Sequence, residues 1–257
     1  MTRIFRAATG AAALAAALAT GAATPALAGS FSDAQKAEIG QIVRQYLLEH
    51  PDILIEMSRK LEAQQREAKE KAAAAAMAAH GKALFSGAGD LVIGNPQGKV
   101  KMVEFFDYNC GFCKRSLPDV IRLKDTNPDL KIIIKEFPIL GPGSMEAAKY
   151  ALAARRQGMD KYWKFHAEML KHKGRVDGAV ALALAKRAGL DVEKLKKDAE
   201  SKEIADTINA NMALADALNI NGTPAFVIGD EIVPGALGYD TLNKIIAKVR
   251  KNGCKNC

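Results

Sequence analysis

The fold of this chain is decided by the stretch Val103-Glu104-Phe105-Phe106-Asp107-Tyr108-Asn109-Cys110-Gly111-Phe112-Cys113. It begins within a hydrophobic run, Lys101 to Phe106, that is typical of a strand, and apolar residues recur at helical spacing after it. A cysteine at the first turn of a helix lies beside unpaired backbone N–H groups and the positive end of the helix dipole, which stabilise a thiolate. We therefore predict that Cys110 is an activated thiol and that Cys113, one turn further on, is more shielded.

This asymmetry between the two thiols suits thiol–disulfide exchange. Cys110 would attack a disulfide to give a mixed disulfide that Cys113 resolves, and the reverse steps would oxidise a dithiol. The same spacing is also compatible with a permanent structural disulfide or with half of a soft-metal site. Redox use is favoured because no nearby histidine extends the pair into a metal-ligand pattern.

The residues after the cysteines predict an α/β architecture. A helix and a turn lead into Lys131 to Phe137, which has the β-branched composition of a buried strand, so the two strands should be parallel. Helical periodicity then extends from Ser144 to Leu218. Ala225 to Val233 has the pattern of a hairpin, and Tyr239 to Val249 that of a final helix.

Two separated motifs resemble a known family. The stretch from Val103 to Cys113, with Pro118 five residues later, is similar to the active-site strand and helix of thioredoxin-fold disulfide oxidoreductases, in particular the bacterial DsbA-like group. Gly222-Thr223-Pro224-Ala225-Phe226 resembles the family's cis-proline loop. The resemblance implies a thioredoxin fold with an inserted helical subdomain at about residues 139–219. It also implies a thiol–disulfide oxidoreductase that uses no metal and no organic cofactor.

The resemblance also implies roles for individual residues. Pro224 would be cis and face the cysteine pair, so that Thr223 can pair with the main chain of an extended substrate. Gly111 and Phe112 would also bind the substrate. Glu104 matches the family's buried acid, which would exchange a proton with Cys113, whereas a purely structural role for Glu104 stays open.

Three features lean toward the isomerisation of wrong disulfides as well as the formation of new ones. Gly111-Phe112 contains no imidazole to stabilise the Cys110 thiolate, so the pair should be less oxidising than one that carries a histidine. Threonine before the cis-proline is similar to the isomerase-like DsbC and DsbG proteins, and the helical N-terminal extension resembles that of ScsC-like proteins. The alternatives are a monomeric DsbA-like dithiol oxidase and a copper-handling thiol protein.

The first 28 residues have the pattern of a signal peptide. Arg3 and Arg6 precede an Ala-rich and Leu-containing run from Ala7 to Ala23, and Ala26-Leu27-Ala28 is a small-x-small cleavage signal. We predict cleavage after Ala28 and a mature protein in the periplasm, where cysteines meet an oxidising environment. The expected partners are unfolded or misoxidised exported proteins and a membrane redox protein that resets the cysteine pair.

Residues 29–85 predict a helical extension ahead of a catalytic domain at 86–257. A capping box at Ser32 and Gln35 opens the first helix, and His50-Pro51 separates it from the second. An apolar stripe includes Ile39, Ile42, Val43, Tyr46, Leu47, Leu54, Met57 and Leu61. This stripe should dock either on the rest of the chain or on copies of itself, and a homo-oligomer formed through these helices is the sharper prediction. The segment around Gly81, Gly87 and Gly89 predicts a hinge.

The charge of the chain does not indicate a nucleic-acid partner. Its 257 residues carry a formal charge of +8, but basic residues such as Lys194 and Lys196 alternate with Asp191, Glu193 and Asp198. This mixed pattern is typical of a solvated helix face.

A second CxxC motif, Cys254 and Cys257, ends the chain. Gly253 precedes it and predicts that the last helix has already stopped, so no helix start activates these thiols. A local disulfide, a dithiol relay to Cys110 and Cys113, and a Cu(I) site are the alternatives.

Overall fold

The computed structural model describes residues 31–87 and 90–257. The predicted signal peptide, residues 1–28, and Gly89 of the predicted hinge lie outside these ranges. The chain divides into two compact units, one ending at Leu61 and one beginning at Glu62. In chain order the elements are α1 (Asp33–Glu49), α2 (Asp52–Phe85), β1 (Leu91–Gly94), β2 (Val100–Phe106), α3 (Gly111–Thr126), β3 (Leu130–Glu136), α4 (Pro142–Arg155), α5 (Met159–Lys171), α6 (Gly178–Arg187), α7 (Val192–Ala199), α8 (Lys202–Ala217), β4 (Ala225–Ile228), β5 (Glu231–Pro234) and α9 (Tyr239–Asn252).

One mixed sheet organises the larger unit, with the strand order β1-β3-β2-β4-β5. The two central strands, β2 and β3, are parallel, as the strand–helix–strand pattern predicts, with Val103 opposite Ile133. The β4–β5 pair forms the predicted hairpin, and β4 runs antiparallel to β2 with Phe105 opposite Ala225. This arrangement confirms the α/β thioredoxin fold that the resemblance implies, and the helical insertion occupies α4 to α8.

The two faces of the sheet are covered by different helices, because successive side chains of a strand point to opposite sides. Met102, Phe106 and Ile132 face the core that contains α3 and the inserted helices. Val103 and Phe105 face a second core, which contains buried residues of α2 and α8. The central strands are therefore buried on both faces, and their sequences are almost continuously apolar for this reason.

The smaller unit confirms the predicted helix boundaries. Ser32 and Gln35 form the capping box at the start of α1, and α1 ends at Glu49, just before His50 and Pro51. No residue of α1 is buried. Large apolar side chains stand exposed on α1 and at the start of α2, namely Ile39, Ile42, Val43, Tyr46, Leu47, Leu48, Leu54, Ile55, Met57 and Leu61. No helix among the described residues has the length and apolar character that crossing a bilayer requires.

The predicted hinge at Gly81 is wrong, because α2 runs without interruption through this residue to Phe85. Met77, Leu84 and Phe85 are 0%, 0% and 1% exposed, so the end of α2 belongs to the core of the larger unit. The backbone N–H of Gly87 donates to Asp90 Oδ2 at 2.8 Å, and the Asp90 carboxylate also pairs with the buried ammonium of Lys135. Packing therefore holds Gly81 within the end of α2, and the hydrogen bond to Asp90 restrains Gly87.

The packing of α2 predicts a large difference between two leucine substitutions. Leu84→Ala removes a fully buried side chain and should cost about 2–5 kcal/mol of unfolding free energy, because it opens a cavity between α2 and the sheet. Leu237→Ala changes a side chain that is 49% exposed and should cost about 1 kcal/mol or less. Urea unfolding of the two variants measures the difference, and equal midpoints would show that α2 does not belong to the core.

Candidate active site

Cys110 is the N-cap residue of α3, at the point where β2 gives way to the helix. Its Sγ accepts a hydrogen bond from the backbone N–H of Cys113 at 3.4 Å, and its thiol donates to the carbonyl oxygen of Thr223 at 3.1 Å. Cys113 is 0% exposed and Cys110 is 7% exposed. Both thiols are free, and the outer of the two is the one that helix N–H groups surround.

The surroundings separate the pKa values of these two thiols. The pKa of Cys110 is lowered to about 5, chiefly by a hydrogen bond with the Cys113 side chain, then by one with the Thr223 side chain and by backbone N–H groups at the start of the helix. The pKa of Cys113 is raised far above its ordinary value, mainly by burial, and also by a hydrogen bond with the Cys110 side chain and by repulsion from Glu104 whenever that group is ionised. At neutral pH the pair therefore holds one thiolate and one thiol.

The loop before β4 places a backbone carbonyl against Cys110. The Thr223–Pro224 peptide bond is cis, as the resemblance implies. The Pro224 carbonyl accepts a hydrogen bond from the N–H of Gly235 at 2.8 Å, which ties the loop to the chain after β5. Because β4 pairs with β2, the sheet itself brings Thr223 and Pro224 to the cysteines.

The two residues between the cysteines form an exposed apolar surface. Gly111 is exposed, and the Phe112 side chain is 58% exposed. The guanidinium of Arg115 lies 4.2 Å from the centroid of the Phe112 ring, in the geometry of a cation–π contact. Phe112 thus offers an apolar contact beside the reactive sulfur, with a cation held close to it.

Glu104 lies in β2 between Ile134 of β3 and Phe226 of β4. The alternation of the strand puts it on the same face as Met102 and Phe106, which share a core with Cys113. Glu104 is buried, and its pKa is raised to about 8, first by burial and then by the nearby charge of Cys110. At neutral pH this side chain is therefore a carboxylic acid that holds a proton close to the cysteines.

A polar network under the cysteine loop was not predicted from the sequence. Asp107 Oδ1 accepts hydrogen bonds from the N–H of Asn109 at 2.7 Å and from the hydroxyl of Ser144 at 2.8 Å. Asn109 also exchanges hydrogen bonds with the backbone of Val176. The network ties the residue before Cys110 to the inserted helices. The spacing of Asp107 and Asn109, typical of an Asx turn, was the available signal.

A second buried polar cluster lies behind this loop. The Tyr108 hydroxyl donates to Glu136 Oε1 at 3.1 Å and lies 2.9 Å from His166 Nδ1. Burial lowers the pKa of His166 to about 3, so the imidazole is neutral. His166 thus pairs with the Tyr108 hydroxyl within a cluster of aromatic rings that includes Tyr162 and Trp163.

A groove of about 1080 Å³ begins beside the cysteines. Phe112, Thr223 and Pro224 line one part of it, β5 lines another, and the C-terminal tail and the Ala-rich segment of α2 complete it. The lining is mostly apolar, with the charged residues Lys69, Glu70, Asp230, Glu231, Lys248 and Lys255 among it. The groove can therefore accommodate a polypeptide segment that contacts the cis-proline loop.

Cys254 and Cys257 form a local disulfide after the end of α9. The helix stops at Asn252, and Gly253 has φ +79°, as the position of the glycine predicts. Within residues 31–87 and 90–257, no group of three or more His, Cys, Asp and Glu side chains is arranged to hold a metal ion. Copper binding by the cysteine pairs stays a prediction.

The buried acid predicts a pH dependence of stability that one substitution should remove. A pKa of about 8 in the folded protein, against 4.5 ordinarily, means that the folded state holds a proton that the unfolded chain has lost between these pH values. Stability should therefore fall as pH rises from about 4.5 to about 8. In the reduced protein, Glu104→Gln should stabilise the fold at about pH 8 by on the order of 3 kcal/mol and have little effect near pH 4.

Glu200→Gln, at an exposed carboxylate, is the matched control for Glu104→Gln and should change stability little at either pH. Urea midpoints across the pH range give the comparison. If Glu104→Gln destabilises the protein equally at all pH values, the carboxyl acts as a hydrogen-bonding structural group and not as a buried acid.

Comparison with known proteins agrees with this geometry. Residues 101–247 match the DSBA-like thioredoxin domain, and residues 35–68 match the copper resistance protein ScsC N-terminal domain. A thioredoxin-like oxidoreductase from Silicibacter pomeroyi DSS-3 is 42% identical, with a TM-score of 0.65 over 67% of this chain and 98% of its own. Proteus mirabilis ScsC in a transitional conformation is 31% identical, with a TM-score of 0.63 over 85% of this chain and 98% of its own.

The curated relatives differ in the share of their own length that this chain covers. A probable disulfide bond formation protein D from Bacillus cereus is 27% identical over 66% of this chain and 83% of its own. This chain spans only 24% of the length of an Na(+)/H(+) antiporter NhaA 1 from Salinispora arenicola, to which it is 26% identical. The domain model covers more than half of the chain, and it includes the cysteine pair and the cis-proline loop. This chain therefore belongs to the DSBA-like thioredoxin domain family.

Proposed function

We propose that this chain is an exported thiol–disulfide oxidoreductase in which Cys110 exchanges disulfides with client proteins. The observation that carries the proposal is the difference between the two thiols. The outer sulfur, Cys110, lies at the start of α3, where backbone N–H groups stabilise a thiolate, whereas Cys113 is a fully buried thiol. A low-pKa thiolate is both an effective nucleophile at neutral pH and a good leaving group.

In the oxidising direction, the reaction begins from a disulfide between Cys110 and Cys113. A client thiolate attacks Cys110 Sγ, a client–Cys110 disulfide forms, and the bond to Cys113 breaks with its electron pair on Cys113 Sγ. Cys113 is a poor thiolate because of its burial, and the protonated Glu104 is the acid that supplies its proton. A second client thiolate then attacks the client sulfur and releases Cys110 as a thiolate.

In the reducing and isomerising direction, the same groups act in reverse. The Cys110 thiolate attacks a wrong client disulfide, and another client thiol displaces it to give a new pairing. Where no client thiol does so, Cys113 transfers its proton to ionised Glu104 and attacks Cys110 Sγ, which frees the reduced client. Glu104 thus acts as acid in one direction and as base in the other.

Client binding is assigned to the cis-proline loop and the groove beside it. Thr223 and Pro224 present the backbone at Cys110, where an extended client segment pairs by main-chain hydrogen bonds. Phe112 and Gly111 provide an exposed surface without a charged side chain of their own on the other side of the sulfur. Such contacts suit unfolded or misoxidised chains, because they recognise backbone and apolar side chains rather than one sequence.

The helical extension is assigned to self-association. None of the residues of α1 is buried, although Ile42 and Tyr46 are 60% and 55% exposed and belong to a continuous apolar stripe. An exposed stripe of this kind is stabilised when a second copy covers it. Several active sites in one oligomer favour isomerisation, because they can share a client and are shielded from a membrane oxidase. A membrane redox partner and the periplasmic location, with the leader 1–28 removed after Ala28, complete the proposal.

Trapping the covalent intermediate tests the roles of the cysteines. Cys113→Ser leaves Cys110 free to attack but removes the group that resolves the mixed disulfide, so a disulfide-linked complex with a scrambled client should accumulate. Cys110→Ser should give no complex and lose nearly all activity, about 10³-fold or more. Non-reducing gels and mass spectrometry identify the linked sulfur. Complexes linked through Cys113, or full activity of Cys110→Ser, would contradict the proposal.

A charge substitution on the apolar stripe tests both self-association and isomerase activity. Ile42→Glu with Tyr46→Glu should dissociate the oligomer, measured by light scattering, and reduce reactivation of scrambled ribonuclease by about tenfold, while oxidation of a short dithiol peptide is retained. Gln41→Glu with Gln45→Glu adds the same charge at the same spacing outside the stripe and should change neither measurement. A wild-type monomer would instead favour the DsbA-like oxidase.

A further inference from the structure

The last residues of the chain form several hydrogen bonds with the rest of the protein. After α9, the Asp230 carboxylate accepts hydrogen bonds from the backbone N–H groups of Lys255 at 2.7 Å and Asn256 at 3.1 Å, and from Asn256 Nδ2 at 2.7 Å. The ammonium of Lys101 donates to the Cys257 carbonyl at 2.6 Å. The tail is therefore anchored both to the β4–β5 turn and to the start of β2.

The tail also lies directly against α2, at a glycine. A Cβ added to Gly81 would be 2.2 Å from the Asn256 carbonyl oxygen and 3.0 Å from Asn256 Cβ. Backbone atoms cannot move aside as the end of a flexible side chain can, so no other residue fits here without displacing the tail. Gly40, in α1, has no atom within 4 Å of its added Cβ. Glycine weakens a helix relative to alanine, so its presence within the Ala-rich part of α2 is explained by this close packing.

The Cys254–Cys257 disulfide encloses the residues that make these contacts. It bridges positions three apart, so the ring contains Lys255 and Asn256. A ring this small restrains little of the unfolded chain outside itself, and its influence on the folded protein must pass through what the tail touches. Those contacts are Asp230, Gly81 and Lys101.

The tail and α2 are walls of the groove that Phe112, Thr223 and Pro224 line beside the cysteine pair. Gly253, Lys255 and Asn256 line it together with Ala72, Ala73 and Ala76 of α2, and Thr223 and Pro224 line the same groove. A change in how the tail holds α2 is therefore a change in the shape of the surface beside the cis-proline loop. This connection needs no contact between the second cysteine pair and Cys110.

We propose that the C-terminal disulfide is a redox-sensitive clasp that holds α2 in place as a wall of this groove. Reduction by a small dithiol converts the Cys254–Cys257 bond to two thiols; the dithiol supplies two electrons and two protons and becomes a disulfide itself. The opened tail leaves Gly81, and the Ala-rich segment of α2 loosens. The effect on clients rests on the function proposed above, whereas the clasp itself does not.

Hydrogen exchange of the α2 amides tests the clasp without any assay of activity. In full chains that carry Cys110→Ser and Cys113→Ser, the tail disulfide is the one that remains among the four cysteines of the sequence. Adding dithiothreitol should speed exchange at residues 72–81 by about tenfold. A protein in which all four cysteines are serine should exchange at the faster rate with and without reductant. Equal, slow exchange in all samples would overturn the proposal.

Two glycine substitutions provide an independent test with opposite expected signs. Alanine strengthens a helix, so Gly40→Ala should slow exchange in α1 and leave α2 unchanged. Gly81→Ala also adds alanine to a helix, yet it should speed exchange at residues 72–81, because its Cβ displaces Asn256. Slower exchange in Gly81→Ala would contradict the clasp. If this variant does not fold, the reductant experiment decides alone.

The consequence for clients is measured separately. With Cys110 and Cys113 intact, Cys254→Ser with Cys257→Ser should raise KM for a cysteine-containing peptide by about threefold and leave kcat nearly unchanged, as expected when binding alone is weakened. An unchanged KM together with faster exchange would show a clasp that does not reach the client. No activity in the wild-type protein would instead refute the proposed function and leave the exchange result standing.

Discussion

The close approach of Cys110 Sγ to the Thr223 carbonyl oxygen is the contact on which the site depends, and it joins residues 113 positions apart. Neither loop would hold this geometry by itself. It exists because β4 pairs with β2, so that the residues before β4 and the residues after β2 emerge at the same end of the sheet. Burial of the two central strands on both faces fixes this register, since a slip by one residue would exchange every core side chain for its neighbour on the other face. The pairing of the sheet therefore determines the surroundings of the Cys110 sulfur atom.

The site also buries two groups that are costly to ionise. Glu104 and Cys113 are both buried where a neighbouring negative charge disfavours ionisation, and this placement makes each of them less stable as an anion than it would be in water. A hydrophobic residue at position 104 would pack at less cost. The arrangement is useful for proton exchange, because an acid that keeps its proton at neutral pH sits near a thiol that must gain or lose one. In contrast to these two groups, Asp107, Asn109 and Ser144 have their hydrogen bonds satisfied by one another. This network holds the loop rigid around the reactive groups.

Local patterns predicted much of this structure. The order of strands and helices, the capping box at Ser32, the break at His50-Pro51 and the two motifs of the site all depend on neighbouring residues or on a resemblance that preserves them. The predicted hinge at Gly81 was wrong because a glycine permits bending only where nothing packs against it. The contact with Asn256 comes from a tail 175 positions further along the chain, 256 − 81. The hydrogen bonds from Asn109 to Val176 and from Tyr108 to Glu136 were missed for the same reason, since no spacing in the sequence reveals which distant backbone will meet a polar side chain.

The two CxxC motifs of this chain show how position in a helix determines what the same spacing does. Cys110 begins α3, where N–H groups point at its sulfur and the helix dipole favours negative charge. Cys254 follows the end of α9, where carbonyl groups and the negative end of the dipole disfavour a thiolate. The first pair is therefore easily exchanged, and a thiolate released from it is stabilised. The second pair gains no such stabilisation when it is reduced, so its disulfide is the more persistent of the two. One chain can thus hold a pair that exchanges readily and a pair that opens only to a stronger dithiol reductant, because the two pairs lie at opposite ends of their helices.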